Sequence, residues 1–276
     1  MLRIAPQLRG KSEAEIADLC KHGLATIQDG VVIPTIEGGA VLTNSFEGGS
    51  DGVTLTQGSG GNTGGASGDY FDTIALGANT TLEFSEVAAF HGAMGVRAKS
   101  GSTANNCAFQ YDTRLDTFTD DFGYAYVKFN ATPSAVYTWL VYRSSGGVLQ
   151  TSARFTSGDK VRLQNQIDST FTDSTMTFTV STYYRFEYHH VTNSAITMRV
   201  YDGDSTTLLE EWSHSLTSQA DAAQIRWGQL TSIANLPTAT DHIDFDSVGT
   251  NFSDWPGPIE PPASWTARSG GVVVTV

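Results

Sequence analysis

His242, Asp244 and Asp246 fall at alternate positions of one short segment, "HIDFD", and are the nearest this chain comes to a pair of catalytic carboxylates. On a strand, alternation puts them on one face. Glycoside hydrolysis needs two carboxyl groups flanking the scissile bond, roughly 5 Å apart for a retaining mechanism. No glutamate stands at either outer position, and Ile243 and Phe245 fill the intervening ones. The segment therefore reads as a polar outward face behind an apolar stripe, with no catalytic residue assigned. A structural Ca²⁺ is the other chemistry on offer. It wants six to eight oxygens from carboxylates and loop carbonyls, and Glu47 and Asp246 are the candidate ligands if the first and last strands neighbour each other.

Other reactive residue types resolve into ordinary ones. His189 and His190 are adjacent on a strand, so they point to opposite faces and cannot share a metal. "TDDFG" (119–123) and "YDGD" (201–204) place Asp where its side chain mimics a backbone turn. Serines are abundant, but no nucleophile-elbow spacing occurs. Tyr137, Trp139, Trp212 and Trp227 are either core or sugar-stacking platforms. Tyr137 and Trp139 share an expected face with Val141 and Arg143, which makes them the glycan-contact candidates.

The elements that must position these residues are strands. The chain has 276 residues, 39% hydrophobic and only 16% charged, so Thr, Ser, Asn and Gly supply the polar surface. β-Branched Thr suits a pleated sheet. From about Val41 to Trp255, short apolar-alternating runs recur between Gly, Asn, Asp, Ser and Pro, at sandwich spacing. They are 80–85, 92–99, 107–112, 122–130, 136–143, 148–155, 160–166, 175–180, 183–191, 195–202, 208–214, 223–230 and 242–249. Within them Tyr184, Phe186 and Tyr188 oppose Arg185, Glu187 and His189. Two sheets packed face to face are expected. "LTSQADAAQIRW" (216–227) offers one further helical turn.

Residues 47–72 are about one third glycine and contain neither Lys nor Arg. A phosphate loop needs its lysine, and no helix pattern follows Asp72. The stretch is read as rim loop and edge structure, where Gly allows positive φ and close backbone approach.

The ends differ from the middle. Ser12 and Glu15 have capping-box spacing, and Ile16, Leu19, Leu24 and Ile27 follow at near-helical intervals. A helix over 13–27 is expected within an arm of residues 1–40, its apolar stripe packed on its own domain or docked on a neighbour. "DWPGPIEPP" (254–262) ends the sheet and begins an extended linker. The tail "GGVVVTV" (270–276), with Val272 and Val274, has strand composition but no partner in its vicinity. An unpaired edge seeks another sheet, so both ends are assembly candidates. The expected domains are 1–40, 41–256 and 257–276.

Net charge is −13, which disfavours nucleic acid and anionic membrane as partners. No apolar run approaches the ~20 residues of a membrane span, and the first twenty residues lack the apolar core of a secretion signal. Cys20 and Cys107 read as two reduced thiols, with one disulfide the alternative.

"TYYRFEYHHVTNSAITMRVYDGDSTTLLEEWS" (182–213) resembles the paired strands of concanavalin A-like, laminin-G-like jelly rolls. "DHIDFDSVGTN" (241–251) resembles their closing strand, and 44–72 their opening strand and rim loop. The Gly/Thr richness and the "DWPGP" ending are similar to jelly-roll segments in minor tail or decoration proteins of tailed bacteriophages, particularly those of actinobacteria. The resemblance covers about 41–258. It implies a non-enzymatic virion protein, homo-oligomeric, with other virion proteins as partners. The alternatives are a module binding a bacterial surface glycan and an atypical polysaccharide hydrolase or lyase.

Overall fold

The computed structural model describes residues 3–4, 25–28, 31–34, 41–58, 68–99, 106–112, 115, 117–134, 136–230, 242–259, 267–269 and 272–274. The chain divides into two compact units, Met1–Ala40 and Val41–Val276.

In the first unit, β1 (Arg3–Ile4), β2 (Ala25–Gln28) and β3 (Val31–Pro34) form a three-stranded sheet in the order β1-β3-β2. β2 and β3 pair antiparallel, Gln28 opposite Val31, leaving Asp29 and Gly30 between them. This corrects the end of the expected helix, because Ala25, Thr26 and Ile27 belong to a strand. Asp-Gly between β-branched runs is a strong two-residue hairpin signal, and it outweighs the helical spacing of Leu24 and Ile27. Ile16, Leu19, Cys20 and Leu24 lie outside the described residues.

The second unit is a two-sheet antiparallel sandwich. Its strands are β4 (Leu42–Asn44), β5 (Thr73–Leu76), β6 (Thr81–Ser85), β7 (Gly95–Lys99), β8 (Cys107–Tyr111), β9 (Asp120–Phe129), β10 (Tyr137–Ser144), β11 (Leu149–Phe155) and β12 (Val161–Asn165). They continue with β13 (Phe171–Asp173), β14 (Tyr183–Val191), β15 (Ala195–Asp202), β16 (Leu208–Ser215), β17 (Ala222–Gln229) and β18 (His242–Phe252). One sheet has seven strands in the order β13-β12-β11-β10-β17-β8-β5. The other has eight strands: seven run in the order β16-β15-β14-β9-β18-β7-β6, and β4 also pairs with β18. A hairpin of β19 (Ala267–Ser269) and β20 (Val272–Val274) follows.

Alternation builds the core. Tyr184, Phe186 and Tyr188 from β14, with Ile196, Met198 and Val200 from β15, are buried against Trp139, Phe155, Phe109 and Trp227 of the other sheet. Phe129 stacks on Phe155 with centroids 4.1 Å apart, and Phe109 stacks on Trp227 at 5.8 Å. Each such pair contributes about 1 kcal/mol beyond its buried area. Cys107 lies inside, and burial pushes its thiol up to about 12.

Two expected elements differ. The run 175–180 is not a strand, and the pairing partner of β12 is β13 instead. Its alternation is real, since Phe178 is in the core with Met176 and Val180 packed against it. However, the amides of Thr175 and Met176 donate to the Glu210 carboxylate at 2.7 and 2.8 Å, and Phe178 N donates to Asp159 O. The segment crosses the edge of the sandwich rather than joining a ladder. No helical turn forms at 216–227. The chain there is bent by Asn193 and Gln219, which hydrogen-bond each other through backbone and side chain.

Within the glycine stretch, Gly68 is bridged to Asn44. Gly68 has φ +135, and a Cβ there would lie 2.3 Å from Thr43 O. That close approach lets Asp69 accept a hydrogen bond from Thr43 N.

Candidate functional site

β18 sends Ile243 and Phe245 into the core and Asp244 and Asp246 to the outer side of the eight-stranded sheet. The outward direction matches the alternation, but the expected solvent exposure does not: both aspartates are 0% exposed. The segment after β6, a single 3-10 turn at Glu86–Ala88 and the loop to Met94, supplies the cover of Asp246. Asp246 Oδ2 accepts from the amides of Phe90, at 2.6 Å, and His91. His91 Nδ1 is 3.6 Å from the same oxygen, and its Nε2 meets Asp204 Oδ1 at 2.8 Å. Tyr126 OH also donates to Asp204 Oδ1 at 2.8 Å. Burial lowers the His91 pKa, but Asp246 and Asp204 outweigh it and the net shift is upward. Burial also raises Asp246 beyond what His91 and the two amides recover.

Asp244 is an ion-pair centre. Arg97 Nε and Lys128 Nζ each lie 2.9 Å from its oxygens, and His242 Nε2 lies at 3.5 Å. Burial pushes its pKa up, yet His242, Arg97 and Lys128 hold it down at about 2. Glu47 grips the other end of the loop, accepting from Ala93 N at 2.8 Å and Met94 N at 3.1 Å. Gly92 has φ +60, and a Cβ there would sit 2.3 Å from the Glu47 carboxyl carbon. The two carboxylates offered as calcium ligands thus flank one loop, as the neighbouring of β4 and β18 requires. The oxygens they turn toward it accept N–H donors. Among the described residues no group of three or more His, Cys, Asp or Glu is placed to hold a metal ion.

Another part of this face is covered too, although Glu211 and Ser213 at its β16 edge stay exposed. Residues 254–259, expected as the start of an extended linker, pack back on the sheet because Trp255 and Ile259 interrupt the prolines. Ile259 packs with Tyr124, Tyr126 and Tyr183, and the Arg199 guanidinium lies 3.9 Å over the Trp255 ring. His189 stacks on Phe122 on this side, whereas His190 faces inward onto Tyr142, so the histidines do diverge.

The glycan-contact expectation for Tyr137 and Trp139 is corrected: they are 1% and 0% exposed, in the core against Phe129. The cause is a β-bulge between Thr138 and Leu140. One extra residue reverses the alternation, so Leu140 and Tyr142 face the core and Val141 and Arg143 do not share the side of Tyr137. At the C-terminus, Val272 and Val274 pair with Ser269 and Ala267, so the tail does have a partner close in sequence.

The face that sequence reasoning missed is the outer side of the seven-stranded sheet. Register places Asp173, Arg162, Arg154 and Thr138 in one cross-strand row. The next row runs Phe171, Gln164, Ser152, Val141, Arg226, Gln110 and Thr73, and Arg143 sits opposite Gln224 beyond it. Arg143, Arg154, Arg162, Arg226 and Gln224 are half-buried. The signal was available: every outward position of "VYR", "SAR", "VRLQ" and "QIR" that is not small or aliphatic is Arg or Gln. It was hidden because the bulge in β10 and the strand order had to be known first.

No family model matches the chain, and no curated protein does. Solved structures do. A protein of unknown function from Shewanella oneidensis MR-1 is similar with a TM-score of 0.53 and 17% identity, over 87% of this chain and 93% of that one. Cellulose induced protein Cip1 is similar with a TM-score of 0.52 and 13% identity, over 76% and 96%. An endo-β-1,4-glucuronan lyase from the fungus Trichoderma reesei has a TM-score of 0.49 and 12% identity, over 66% and 91%. The second unit is a concanavalin-like jelly-roll β-sandwich.

Proposed function

We propose that this chain is a non-catalytic, glycan-binding jelly roll, displayed on a bacteriophage particle through its terminal segments. The observation that carries the binding reading is the outer face of the seven-stranded sheet. It presents the half-buried side chains of Arg143, Arg154, Arg162, Arg226 and Gln224, while the chain's own loops cover part of the opposite outer face. Sugars are recognised by polar side chains that reach several hydroxyls at once, and a sheet face offers them at regular spacing. Two further features support a role without turnover. Asp244 is held ionised by three cationic or hydrogen-bonding neighbours, and Asp246 is wholly buried beneath a loop, so neither is presented to a substrate.

The phage setting rests on the resemblance of the whole arrangement, with its Gly/Thr richness and "DWPGP" ending, together with a second compact unit at residues 1–40 that attachment could use. A glycan array tests binding: signal above background is expected, and its absence against bacterial surface polymers and plant or algal polysaccharides alike would sink the reading. Deleting residues 1–40 tests attachment. The sandwich should keep its cooperative melting while the protein disappears from purified particles, and normal incorporation would reject that assignment. Turnover of any polysaccharide that is lost in Asp244→Asn would reject the non-catalytic part.

A further inference from the structure

We infer that the outer face of the seven-stranded sheet takes an acidic glycan, one whose sugars carry carboxylate or sulfate groups, with Arg154 and Arg226 as the main anion contacts. This rests on the glycan-binding reading above and narrows it to a chemical class. Four of the chain's eleven arginines lie on this one face of a protein whose net charge is −13. Only Arg162 has a carboxylate partner, Asp173, at 2.6 and 2.9 Å. Arg154 donates to Ser152 Oγ and Gln166 Oε1, at 3.3 and 3.2 Å. Arg226 donates to Gln110 Oε1 at 2.5 Å, and Arg143 to Gly147 O at 2.8 Å. All these acceptors are neutral. Among the described residues no carboxylate is within ion-pair distance of Arg143, Arg154 or Arg226.

The register makes this costly for the free protein. Arg154 stands directly opposite Arg162, and Arg226 is diagonal to Arg143. Like charges so placed on a sheet destabilise it. Burial pulls the Arg226 pKa down to about 10, with the Arg143 charge adding to the fall and Asp112 opposing it. Arg154 is lowered by burial and then by Arg162. An anion from outside relieves both pairs, and guanidinium binds carboxylate and sulfate in a bidentate geometry.

Arg154 and Arg226 are two strands apart, about 10 Å across the sheet. That separation suits successive charges on a polymer better than one small anion. Beside them the half-buried Gln224 lies on the strand of Arg226, opposite Arg143, and offers a further polar contact for a sugar hydroxyl. Phe171, 50% exposed at the end of the same row, has Arg162 stacked 3.5 Å from its ring and leaves a flat apolar contact at the rim. A polynucleotide is a worse fit, because the remaining surface of so acidic a chain repels a long phosphate backbone.

The test is titration of the full chain with polygalacturonate and dextran sulfate, with uncharged dextran, hydroxyethyl cellulose and single-stranded DNA as comparators. At least one acidic polymer should bind, and more weakly as salt rises. Arg154→Ala and Arg226→Ala should each weaken that binding about tenfold with unchanged melting temperature, and Arg226→Lys should lose less. Arg199→Ala, on the other sheet, should bind as the unmodified chain does. Binding to the neutral polymers alone, insensitive to the arginine substitutions, would overturn the acidic class and leave the glycan reading standing. Binding to none of the four polysaccharides would overturn both. DNA binding as tight as that of the acidic polymers, lost in the same variants, would overturn the glycan class in favour of polyanions generally.

Discussion

On the outer face of the eight-stranded sheet, Asp244 holds Arg97 and Lys128, Glu187 holds Arg185, Glu211 holds Arg199, and two loops lie over the result. On the outer face of the seven-stranded sheet, three of four arginines lean on neutral oxygens. Both faces alternate polar with apolar, and both border the same aromatic core. The difference is that one spends its carboxylates internally, to seal loops onto strands, while the other leaves cationic charge unmatched. A sealed charge network gives stability and little capacity to bind. An unmatched one costs some stability and gives an attachment point for an anion.

The comparison breaks first at Asp246. Asp246→Ala leaves the amides of Phe90 and His91 without their acceptor and removes the carboxylate beside the buried His91 ring, and should cost about 3–5 kcal/mol in urea unfolding. A loss under about 1 kcal/mol would mean that the loop is not sealed by this carboxylate.

Next comes pH. Asp244 is depressed from 3.8 to about 2, so its contribution is fully present above about pH 4 and is lost as pH falls through about 2. The amount is roughly 2.5 kcal/mol, and the variant Asp244→Asn should lack that acid limb. Asp121, buried beneath Tyr142 and Thr250, runs the other way. Burial raises it to about 6 despite hydrogen bonds from Tyr142, Asn251 and Thr250. Its contribution is complete below about pH 4 and lost as pH rises through about 6. Asp121→Asn should therefore flatten the stability profile between those values and leave the acid limb of Asp244 intact.

On the open face the effects shrink. Arg154→Gln should change stability by less than about 1 kcal/mol, because the lost hydrogen bonds are offset by relief from Arg162. A large loss would show that Arg154 is structural rather than a contact in waiting. Smallest is salt. Raising ionic strength should stabilise the unmodified chain by a few tenths of a kcal/mol through screening of the two arginine pairs, and that gain should vanish in the double variant Arg154→Gln/Arg226→Gln.

The fold was legible because alternation is a local property. Tyr184, Phe186 and Tyr188 declare their face from the sequence, as do His189 and His190. The misreadings have two physical sources. Period-two burial without pairing, at 175–180, arises where backbone amides find a side-chain acceptor, Glu210, instead of a strand. A bulge at Trp139 puts Val141 and Arg143 on the outer face while Tyr137 and Trp139 stay in the core, so the shared face that made the two aromatics surface candidates does not exist. Of the site, the sequence marked Glu47, Asp244 and Asp246 as carboxylates worth attention, and Glu47 and Asp246 do flank one loop. Nothing local told that their oxygens meet amides and guanidinium groups.

By itself, then, the order of residues determined that this chain makes two antiparallel layers around aromatic side chains, because strand alternation is written one residue at a time. Which outer face is closed and which is open was decided only in three dimensions. Arg154 and Arg162 become neighbours, and Arg226 comes to lie near Arg143, through register between strands distant in sequence. The carboxylates that might have balanced them are committed to the other sheet.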